Sequence, residues 1–353
     1  MPSTNLLQRL LSRIRGGPST AAPLDGQPWQ LPQDPEARRE AARWAYRLIL
    51  LREPESRDVV DFLVGHTGSP QAMRNMLLES AEARSKPGFP VALSMDGNEP
   101  PQPVQVRVSD EEAAQLFARV QEVWHALGEV KPHWSVVTAD QFRPDNIAAS
   151  LDHFYATGET NIATVLRTLE RNEVDWQRFK RCMDFGCGVG RLTAALAKRF
   201  EHVHAVDVSA SHLEIAREAL EKRAAGNVTL HHLERIDAVE DLPSVDFLLS
   251  LIVLQHNPPP VMRVLLAGLL GRLRSGGVAV IQIPTYLPAG YRFDVREYIA
   301  GEGRDMEMHA LPQREVFAVA RAAGVDVLEV LDDTWTGYGI GSRSNTFVLR
   351  RPG

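Results

Sequence analysis

The chain has 353 residues, of which 44% are hydrophobic, and a formal net charge of −6. This length allows one large core or a core with a small satellite domain, and the acidic balance offers no overall attraction for nucleic acid. The only cysteines, Cys182 and Cys187, can neither staple a fold of this size nor hold zinc without a histidine cluster. No apolar run approaches the roughly 18 residues of a membrane span. We therefore expect a cytoplasmic protein without a nucleic-acid partner.

Residues 1–33 read as a flexible arm and linker. In residues 1–15, apolar side chains recur at helical spacing among arginines, as in a basic amphipathic helix. Such a segment can rest on a membrane surface or a partner protein, or it can be a frayed arm or a helix packed on the body. The apolar positions are Leu7, Leu10, Leu11 and Ile14, and the basic ones are Arg9, Arg13 and Arg15.

Residues 34–85 are predicted to form a small all-α domain of three helices. Asp34 precedes Pro35 as an N-cap before a proline at the first helical position. Ser56 and Ser69-Pro70 open the second and third helices in the same way. Helical spacing predicts these inward-facing residues: Ala41, Trp44, Ala45, Leu48, Val59, Phe62, Leu63, Met73, Met76 and Leu77.

Residues 86–108 are rich in proline and are interpreted as a linker to a larger domain over 109–353. Residues 109–180 have helical periodicity, with Leu116, Val120, Val123 and Trp124 on one stripe. From residue 181 onward, short apolar strands alternate with helices, which predicts a doubly wound, mostly parallel sheet covered on both faces. The predicted strands after the first are 203–207, 228–232, 245–252, 278–283, 325–331 and 345–350.

A glycine-rich loop lies where the first of these strands turns into a helix. Residues 182–193 read Cys-Met-Asp-Phe-Gly-Cys-Gly-Val-Gly-Arg-Leu-Thr, and a good helix former follows over 192–200. Gly186, Gly188 and Gly190 permit positive φ and a close approach of a ligand to the backbone. The helix N-terminus adds N–H groups that suit an anion. The pattern predicts a nucleotide-type ligand.

Two nucleotide-like ligands use such a loop, and the sequence separates them. The dinucleotide fingerprint G-x-G-x-x-G requires glycine or alanine where this chain has Arg191. Asp184 would repel a pyrophosphate but suits an ammonium group, such as that of S-adenosylmethionine. Asp207 ends the next strand, 17 residues after Gly190 (207 − 190), near the spacing of about 20 at which an acid reaches ribose hydroxyls.

These residues resemble the class I S-adenosylmethionine-dependent methyltransferases over roughly residues 150–350. The resemblance implies a Rossmann-like, seven-stranded α/β fold whose last strand pair is an antiparallel edge. It also implies S-adenosylmethionine as cofactor, S-adenosylhomocysteine as product, and no metal. The expected cofactor-binding residues are Asp184, Gly186, Cys187, Gly188, Gly190, Asp207, Val208, Asp237, Leu251 and Gln255.

The helical domain carries a second resemblance. Residues 45–55, Ala-Tyr-Arg-Leu-Ile-Leu-Leu-Arg-Glu-Pro-Glu, and 77–82, Leu-Leu-Glu-Ser-Ala-Glu, are similar to a small module found beside enzymes and proteins of bacterial surface polysaccharides. Leu51 replaces the glycine that is usual before Arg52. The resemblance implies a docking or carbohydrate-associated module, and the alternative is a generic helical cap.

Catalytic residues are expected in the loop after the fourth strand, where prolines 258–260 stiffen the backbone beside Gln255 and His256. His256 can act as a base toward an acceptor hydroxyl or amine, or it can be structural. Residues 284–311 are too long for a plain connection and are interpreted as a substrate lid. Its candidate acceptor residues are Tyr286, Tyr291 and His309, and the family resemblance adds Tyr155 as an aromatic that closes over the cofactor.

The combined prediction is an enzyme that methylates a small-molecule or saccharide-type acceptor, preferentially on oxygen, by in-line displacement. The saccharide leaning rests on the N-terminal resemblance. The alternative is a scaffold or regulator that binds S-adenosylmethionine without turnover. A nicotinamide-dependent oxidoreductase is disfavoured by Arg191 and Asp184. Nothing in the sequence indicates an oligomeric state.

Overall fold

The computed structural model describes residues 31–80, 82–83, 95, 97, 99–288, 290–301, 306–337 and 341–353. It divides into two compact units, Met1–Ala92 and Leu93–Gly353. The predicted amphipathic segment over residues 1–15 lies outside the described residues.

The described part of the first unit is helical. It contains α1 (Pro35–Ala45), a π-helical turn (Tyr46–Leu50), α2 (Arg57–His66) and α3 (Pro70–Leu78). The three predicted N-caps are confirmed: the side chains of Asp34, Ser56 and Ser69 each accept a hydrogen bond from the backbone N–H three residues later. Local cap chemistry therefore set the starts of all three helices.

The inward face of this unit differs from the predicted one. Trp44, Leu48 and Phe62 are 51%, 72% and 58% exposed, so their assignment to the core was wrong. Leu48 lies in the π-helical turn after α1, whose i→i+5 hydrogen bonds do not follow the α-helical spacing on which its prediction rested. The buried cluster is instead Leu31, Ala42, Tyr46, Leu50, Val60, Leu63, Met73, Leu77 and Ala83.

An ion pair joins the two segments on which the module resemblance rests. Arg52 Nε donates to Glu82 at 2.6 Å, and a second guanidinium nitrogen contacts the other carboxylate oxygen. Leu51 adopts a left-handed conformation with φ of 53°. This is the position at which glycine is usual in the module, and glycine adopts that conformation without strain.

The second unit contains helices both before its sheet and between its strands. Its described helices are α4 (Asp110–Val130), α5 (Pro132–Val136), α6 (Ile147–Arg171), α7 (Arg191–Leu196), α8 (Ala210–Lys222), α9 (Pro259–Gly271), α10 (Val295–Ala300) and α11 (Gln313–Ala322). A capping box between Ser109 and Glu112 begins α4. Short 3₁₀ turns occur at Asp140–Phe142, Trp176–Arg178, Asp237–Asp241 and Leu254–His256.

The described residues of this unit form a seven-stranded sheet in the order β3-β2-β1-β4-β5-β7-β6. Strands β1 to β5 pair in parallel, and β7 pairs antiparallel to both β5 and β6. The predicted fold class, including its antiparallel edge, is confirmed. The strands are β1 (Arg181–Phe185), β2 (His202–Asp207), β3 (Val228–His232), β4 (Val245–Ser250), β5 (Leu273–Tyr286), β6 (Asp326–Asp333) and β7 (Arg343–Arg350).

The strand order reverses between β1 and β4. From β1 the chain moves to β2 and β3 on one side, and it returns to place β4 on the other side of β1. Crevices for ligands form at the carboxyl ends of parallel strands at such a reversal. The glycine-rich loop follows β1 directly, so the topology puts it at this crevice.

Two boundaries shift from the predicted ones. Residues 99–108, assigned to the linker, belong to the second unit: Val104 forms a parallel bridge with Phe293, and Gln102 and Gln105 hydrogen-bond to the backbone of Leu287 and Val295. The predicted lid begins later than residue 284, because β5 continues to Tyr286 against β7. None of the helices in the described ranges combines the length and apolarity needed to cross a bilayer.

Candidate active site

The glycine-rich loop is fixed in a conformation that needs its glycines. Gly186, Gly188 and Gly190 have φ of 77°, 52° and 79°. A Cβ on Gly186 would lie 2.3 Å from the Val253 side chain, and one on Gly188 would lie 2.6 Å from that of Val136. Both distances are far below van der Waals contact. The loop therefore brings its backbone close to the neighbouring segments, as the sequence predicts for a ligand-binding turn.

Asp207 ties the end of β2 to this loop. Its Oδ2 accepts a hydrogen bond from Gly188 N at 2.7 Å, and its Oδ1 accepts from Ser209 N at 2.9 Å. The side chain is buried, yet it lines the cavity described below. A carboxylate with two fixed backbone donors keeps its remaining lone pairs for a ligand.

The loop N–H groups are less available to an anion than expected. Gly186 N and Cys187 N both donate to Val206 O, at 2.8 and 3.0 Å, and Gly190 N donates to Cys187 O. With Gly188 N bonded to Asp207, four donors of the loop are satisfied within the protein. A bound anion would have to find its partner elsewhere.

A cavity that opens to solvent lies over the loop, with about 830 Å³ of space when its open mouth is included. Apolar side chains make most of its wall, with polar groups at a few points, as is usual for cofactor sites. We call it the glycine-loop cavity. It is lined by Val120, Trp124, Ser135, Val136, Phe185, Gly186, Cys187, Gly188, Arg191, Leu192, Asp207, Val208, His212, Leu251, Ile252, Val253, Asn257 and Leu265.

Asp184 lies below this cavity instead of in its wall. It is 2% exposed, and its Oδ2 accepts a hydrogen bond from Thr193 Oγ1 at 2.6 Å. Burial raises the pKa of its carboxyl to about 6, against the lowering by Thr193 and by the charge of Arg191. Asp184 fixes the first turn of α7, and its contact with an ammonium group stays a prediction.

Arg191 supplies a buried cation that the sequence analysis used only to reject a dinucleotide motif. Its guanidinium donates to Thr157 Oγ1 at 3.1 Å and to Asn161 Oδ1 at 2.7 Å, both on α6. It is 6% exposed, and burial lowers its pKa to about 10. Its Nε is buried without a hydrogen-bond partner. Arg191 thus fits an anionic group at the cavity edge.

His256 is held between two segments of the chain. Its Nδ1 lies 3.0 Å from the carbonyl oxygen of Glu307, and its Nε2 lies 3.2 Å from the amide nitrogen of Gln255. The Trp124 ring meets it edge-on at 5.1 Å. Burial lowers the pKa of His256 to about 4, so its ring is neutral at physiological pH.

Two further pockets adjoin the cavity, and His256 lines both. The first, of about 890 Å³, we call the Trp124 pocket; Arg119, Glu122, Trp124, Tyr298 and Glu307 are among its lining residues. The second, of about 920 Å³, we call the Arg191 pocket. It includes Ser135, Thr138, Thr157, Asn161, Arg191, Gln255, Met308, Trp335 and Thr336.

The predicted acceptor residues lie outside these pockets. Tyr286 donates its hydroxyl hydrogen bond to Pro100 O at 2.9 Å. Tyr291 accepts from Ala310 N and lies 3.3 Å from Nδ1 of the buried His309. Tyr155 is buried under the loop, where its hydroxyl donates to Val189 O and burial raises its pKa to about 12. The roles of these four residues in acceptor binding stay predictions.

The predicted cofactor residues divide into two groups. Gly186, Cys187, Gly188, Asp207, Val208 and Leu251 line the glycine-loop cavity. Gly190 forms the N-cap of α7, and Gln255 lines the Arg191 pocket instead. Asp237 is exposed, pairs with Arg235 at 3.0 Å and is absent from the cavity wall, so its adenine contact stays a prediction. Burial raises the pKa of the Cys187 thiol, which suits a packing role.

Sequence reasoning missed part of the wall. His212 is buried on α8 with Nε2 2.9 Å from Ser135 Oγ, and Asn257 follows the 3₁₀ turn at His256. Both line the glycine-loop cavity. Gly128 brings α4 and α8 together there, since a Cβ on it would lie 2.2 Å from Ser211 Oγ. The sequence did offer one signal for His212: it is a polar residue in the first turn of the helix that follows Asp207.

Within the described ranges, no group of three or more histidine, cysteine or acidic side chains is placed to hold a metal ion.

Comparisons with known proteins agree with this architecture. Residues 183–279 match the model of a methyltransferase domain family. The chain is 27% identical over 192 residues to a ubiquinone biosynthesis O-methyltransferase of Alkalilimnicola ehrlichii, covering 53% of this chain and 65% of the relative. It is 34% identical over 86 residues to a magnesium-protoporphyrin O-methyltransferase of Rhodobacter capsulatus, covering 24% of this chain and 38% of that protein.

A solved structure of magnesium protoporphyrin IX methyltransferase from Synechocystis PCC 6803 with bound S-adenosylhomocysteine aligns at a TM-score of 0.46 and 18% identity. The alignment covers 67% of this chain and 99% of that one. The chain spans 65% and 38% of the length of the two curated relatives. The residues matched by the family model run from β1 into β5 and include the glycine loop and Asp207.

Proposed function

We propose that this protein transfers the methyl group of S-adenosylmethionine to a hydroxylated small-molecule or saccharide-type acceptor. The observation that carries the proposal is Asp207, whose carboxylate is anchored by Gly188 and Ser209 in the wall of the 830 Å³ cavity. A carboxylate in this position suits a pair of ribose hydroxyls. The curated relatives named above are O-methyltransferases, which supports oxygen as the acceptor atom.

In this proposal the cofactor lies along the glycine-loop cavity. Asp207 would hold the ribose, and Gly186 and Gly188, which line the same cavity, would lie beside the cofactor. Arg191, which lines the cavity, would take the carboxylate that the satisfied loop N–H groups cannot. When bound, S-adenosylmethionine supplies a methyl group made electrophilic by its sulfonium.

The acceptor is placed in the Arg191 pocket. This pocket shares Ser135, Val136, Arg191 and Ile252 with the glycine-loop cavity, so a molecule in it would adjoin the bound cofactor. Its hydroxyl, amide and guanidinium groups suit an acceptor rich in hydroxyls or carrying a negative charge. The protein's contribution is to hold the acceptor oxygen in line with the methyl group and the sulfur, which lowers the activation free energy by several kcal/mol.

His256 is proposed as the base. Its ring is neutral at physiological pH, so its Nε2 can accept a proton from an acceptor hydroxyl that displaces the Gln255 amide, as the oxygen attacks the methyl carbon. The low pKa makes it a weak base, which suits a proton that leaves late in the transfer. The reaction then needs no covalent intermediate on the protein.

The proposal is tested by calorimetric titration with S-adenosylmethionine, S-adenosylhomocysteine and NAD. We expect micromolar binding of the first two and none of NAD. Asp207→Ala should weaken both affinities by at least about tenfold, because it removes a hydrogen-bonding charge worth about 1.5–3 kcal/mol. The matched control is Asp326→Ala, an exposed aspartate at the start of β6.

Turnover is then measured as transfer of labelled methyl to a panel of hydroxylated acceptors, including sugar nucleotides. Binding of NAD, or no binding of S-adenosylmethionine by the folded protein, would overturn the proposal. Tight binding without transfer across the panel would favour the scaffold instead. Thermal unfolding of Asp207→Ala beside wild type distinguishes lost binding from lost folding.

A further inference from the structure

A chain of buried hydrogen bonds runs from β7 to His256. Gln282 lies in β5 and is fully buried. Its Nε2 donates to Ser344 Oγ at 2.7 Å and to Gln255 Oε1 at 3.1 Å. Gln255 Nε2 in turn lies 3.2 Å from His256 Nε2, and His256 Nδ1 lies 3.0 Å from Glu307 O.

The direction of this chain is fixed at both ends by backbone groups. At one end, Ile252 N–H can only donate, so Gln282 must turn its Oε1 toward it, at 2.9 Å. The amide nitrogen of Gln282 therefore faces Gln255, which must accept with Oε1 and present its own Nε2 to His256. At the other end, the carbonyl of Glu307 can only accept. The ring must then carry its proton on Nδ1 and accept at Nε2.

We infer that Gln282, acting through Gln255, is a positioning residue: together with the Glu307 carbonyl it holds His256 as the Nδ1–H tautomer, whose Nε2 accepts the hydrogen bond of the Gln255 amide. Gln255 and His256 both line the Arg191 pocket. The catalytic meaning of the inference rests on the proposed function, whereas the tautomer itself does not. Second-layer groups commonly set which ring nitrogen of a histidine is protonated.

The chain also couples three segments around the proposed acceptor. Ser344 belongs to β7 and Gln282 to β5, while Gln255 and His256 belong to the turn after β4. His309 N donates to Gln255 O at 2.8 Å, so the backbone of the 306–311 segment is bound to the same residue. Burial and the charge of His309 lower the pKa of His256, and the Glu307 carbonyl raises it. The other charged groups that share its pockets are Arg119, Glu122 and Arg191.

The inference is tested by NMR of the full-length protein with ¹⁵N-labelled histidine, using His256→Asn to assign the signal. We expect Nδ1 to be protonated and Nε2 to be unprotonated at pH 7. In Gln255→Glu, a carboxylate oxygen would face Nε2 and should bring a proton to it, so that the ring becomes doubly protonated at pH 7. In Gln282→Met, the Gln255 amide loses its anchor and can turn its Oε1 toward Nε2; this acceptor competes with the Glu307 carbonyl for the ring proton, so the two tautomers should mix.

Ser344→Ala is the matched control. It removes one hydrogen bond of Gln282 but leaves Ile252 N–H to fix the amide, so the tautomer should be that of wild type. Finding Nε2–H in wild type, or a wild-type tautomer in Gln282→Met that folds normally, would overturn the inference. Circular dichroism and S-adenosylmethionine titration of each variant report folding and cofactor binding separately.

Kinetics give the second readout. With an acceptor in hand, Gln282→Met should lower kcat about 10- to 100-fold, as expected for a misplaced base, while S-adenosylmethionine affinity stays at the wild-type value. Gln255→Glu should move the pH at which kcat falls. If the tautomer is as expected but no acceptor is methylated, the proposed function fails and the positioning of His256 stands.

Discussion

The helical unit and the glycine-rich loop show opposite relations between local pattern and structure. In the helical unit, the caps at Asp34, Ser56 and Ser69 start the helices as predicted, yet Trp44 and Leu48 lie on the outside. In the loop, Gly186 and Gly188 adopt the predicted positive φ and line the predicted cavity. A backbone requirement can be read from one residue type, whereas the choice of a buried face depends on what packs against it.

The largest effect on stability is expected when a buried leucine of the helical unit is compared with an exposed one. Leu63 is buried in its core and Leu48 is 72% exposed. Leu63→Ala should destabilise the unit by about 2–5 kcal/mol, because it leaves a cavity in the core. Leu48→Ala should change stability by less than about 0.5 kcal/mol.

Hydrogen exchange over residues 35–83 in the full chain measures both effects. Equal losses in the two variants would mean that the face chosen by helical spacing, with Trp44 and Leu48 inward, is the buried one in solution.

Lowering the pH should reduce the stability of the two units over different pH ranges, because different groups titrate in them. Among the described residues, the histidines with lowered pKa all lie in the second unit, and burial is the first cause in each: His133, His204, His212, His231 and His256. Unfolding lets these rings take up protons below their ordinary pKa of 6.5, so stability falls as pH drops from about 6.5 toward 4. The raised pKa of Asp184, about 6, opposes part of this loss.

In the helical unit, arginine hydrogen bonds lower the pKa of exposed carboxyls, so stability there is lost only as pH falls below about 4.5. These carboxyls are Glu36, Glu53, Glu55 and Asp61. Urea unfolding with hydrogen exchange at pH 7 and pH 5 should show a loss confined to the second unit. His204→Gln should reduce that loss, and an equal loss in both units would contradict the assignment.

The next largest effect on stability is expected where α6 contacts the start of α7, beside the glycine loop. A Cβ on Gly158 of α6 would lie 2.3 Å from the backbone oxygen of Arg191. Gly158→Ala should therefore destabilise the second unit by about 1–3 kcal/mol through overpacking. Gly271→Ala is the control, since nothing lies within 4 Å of its Cβ position and alanine favours a helix by up to about 1 kcal/mol.

Thermal unfolding compares the two glycine variants. A Gly158→Ala protein as stable as wild type would show that α6 and the start of α7 are not in close backbone contact.

The smallest effect is expected for the ion pair of the helical unit. Arg52 contacts both oxygens of Glu82, whereas Arg57 lies 3.8 Å from Asp61 and is more exposed. Arg52→Lys loses the two-point contact and should cost at most about 1 kcal/mol, since partly exposed pairs contribute little. Arg57→Lys should cost nothing measurable.

Urea unfolding followed over residues 35–83 measures both lysine variants. A larger loss for Arg57→Lys than for Arg52→Lys would contradict the contact between the two module segments.

Parts of the site could be predicted and parts could not, for identifiable reasons. Asp207 was found because a carboxylate at a strand end after a glycine loop is defined by spacing along the chain. The sequence used Arg191 only to exclude a dinucleotide motif. Its hydrogen-bond partners Thr157 and Asn161 lie 34 and 30 residues earlier in the chain, on α6, so no local pattern indicates them. The predicted acceptor tyrosines lie outside the pockets because Tyr286 extends β5 and Tyr291 hydrogen-bonds within its own segment.

The sequence by itself determined the helix starts, the strand alternation, the parallel sheet with its antiparallel edge, and the glycine loop with Asp207. Each follows from local backbone geometry or from apolar periodicity, which act over a few residues. Only the tertiary structure decided which helix face is buried, where Arg191 points, and how Gln282 reaches His256. These depend on groups that are distant along the chain and meet only when the sheet closes, because a hydrogen bond between β5 and the turn after β4 has no signature in either segment alone.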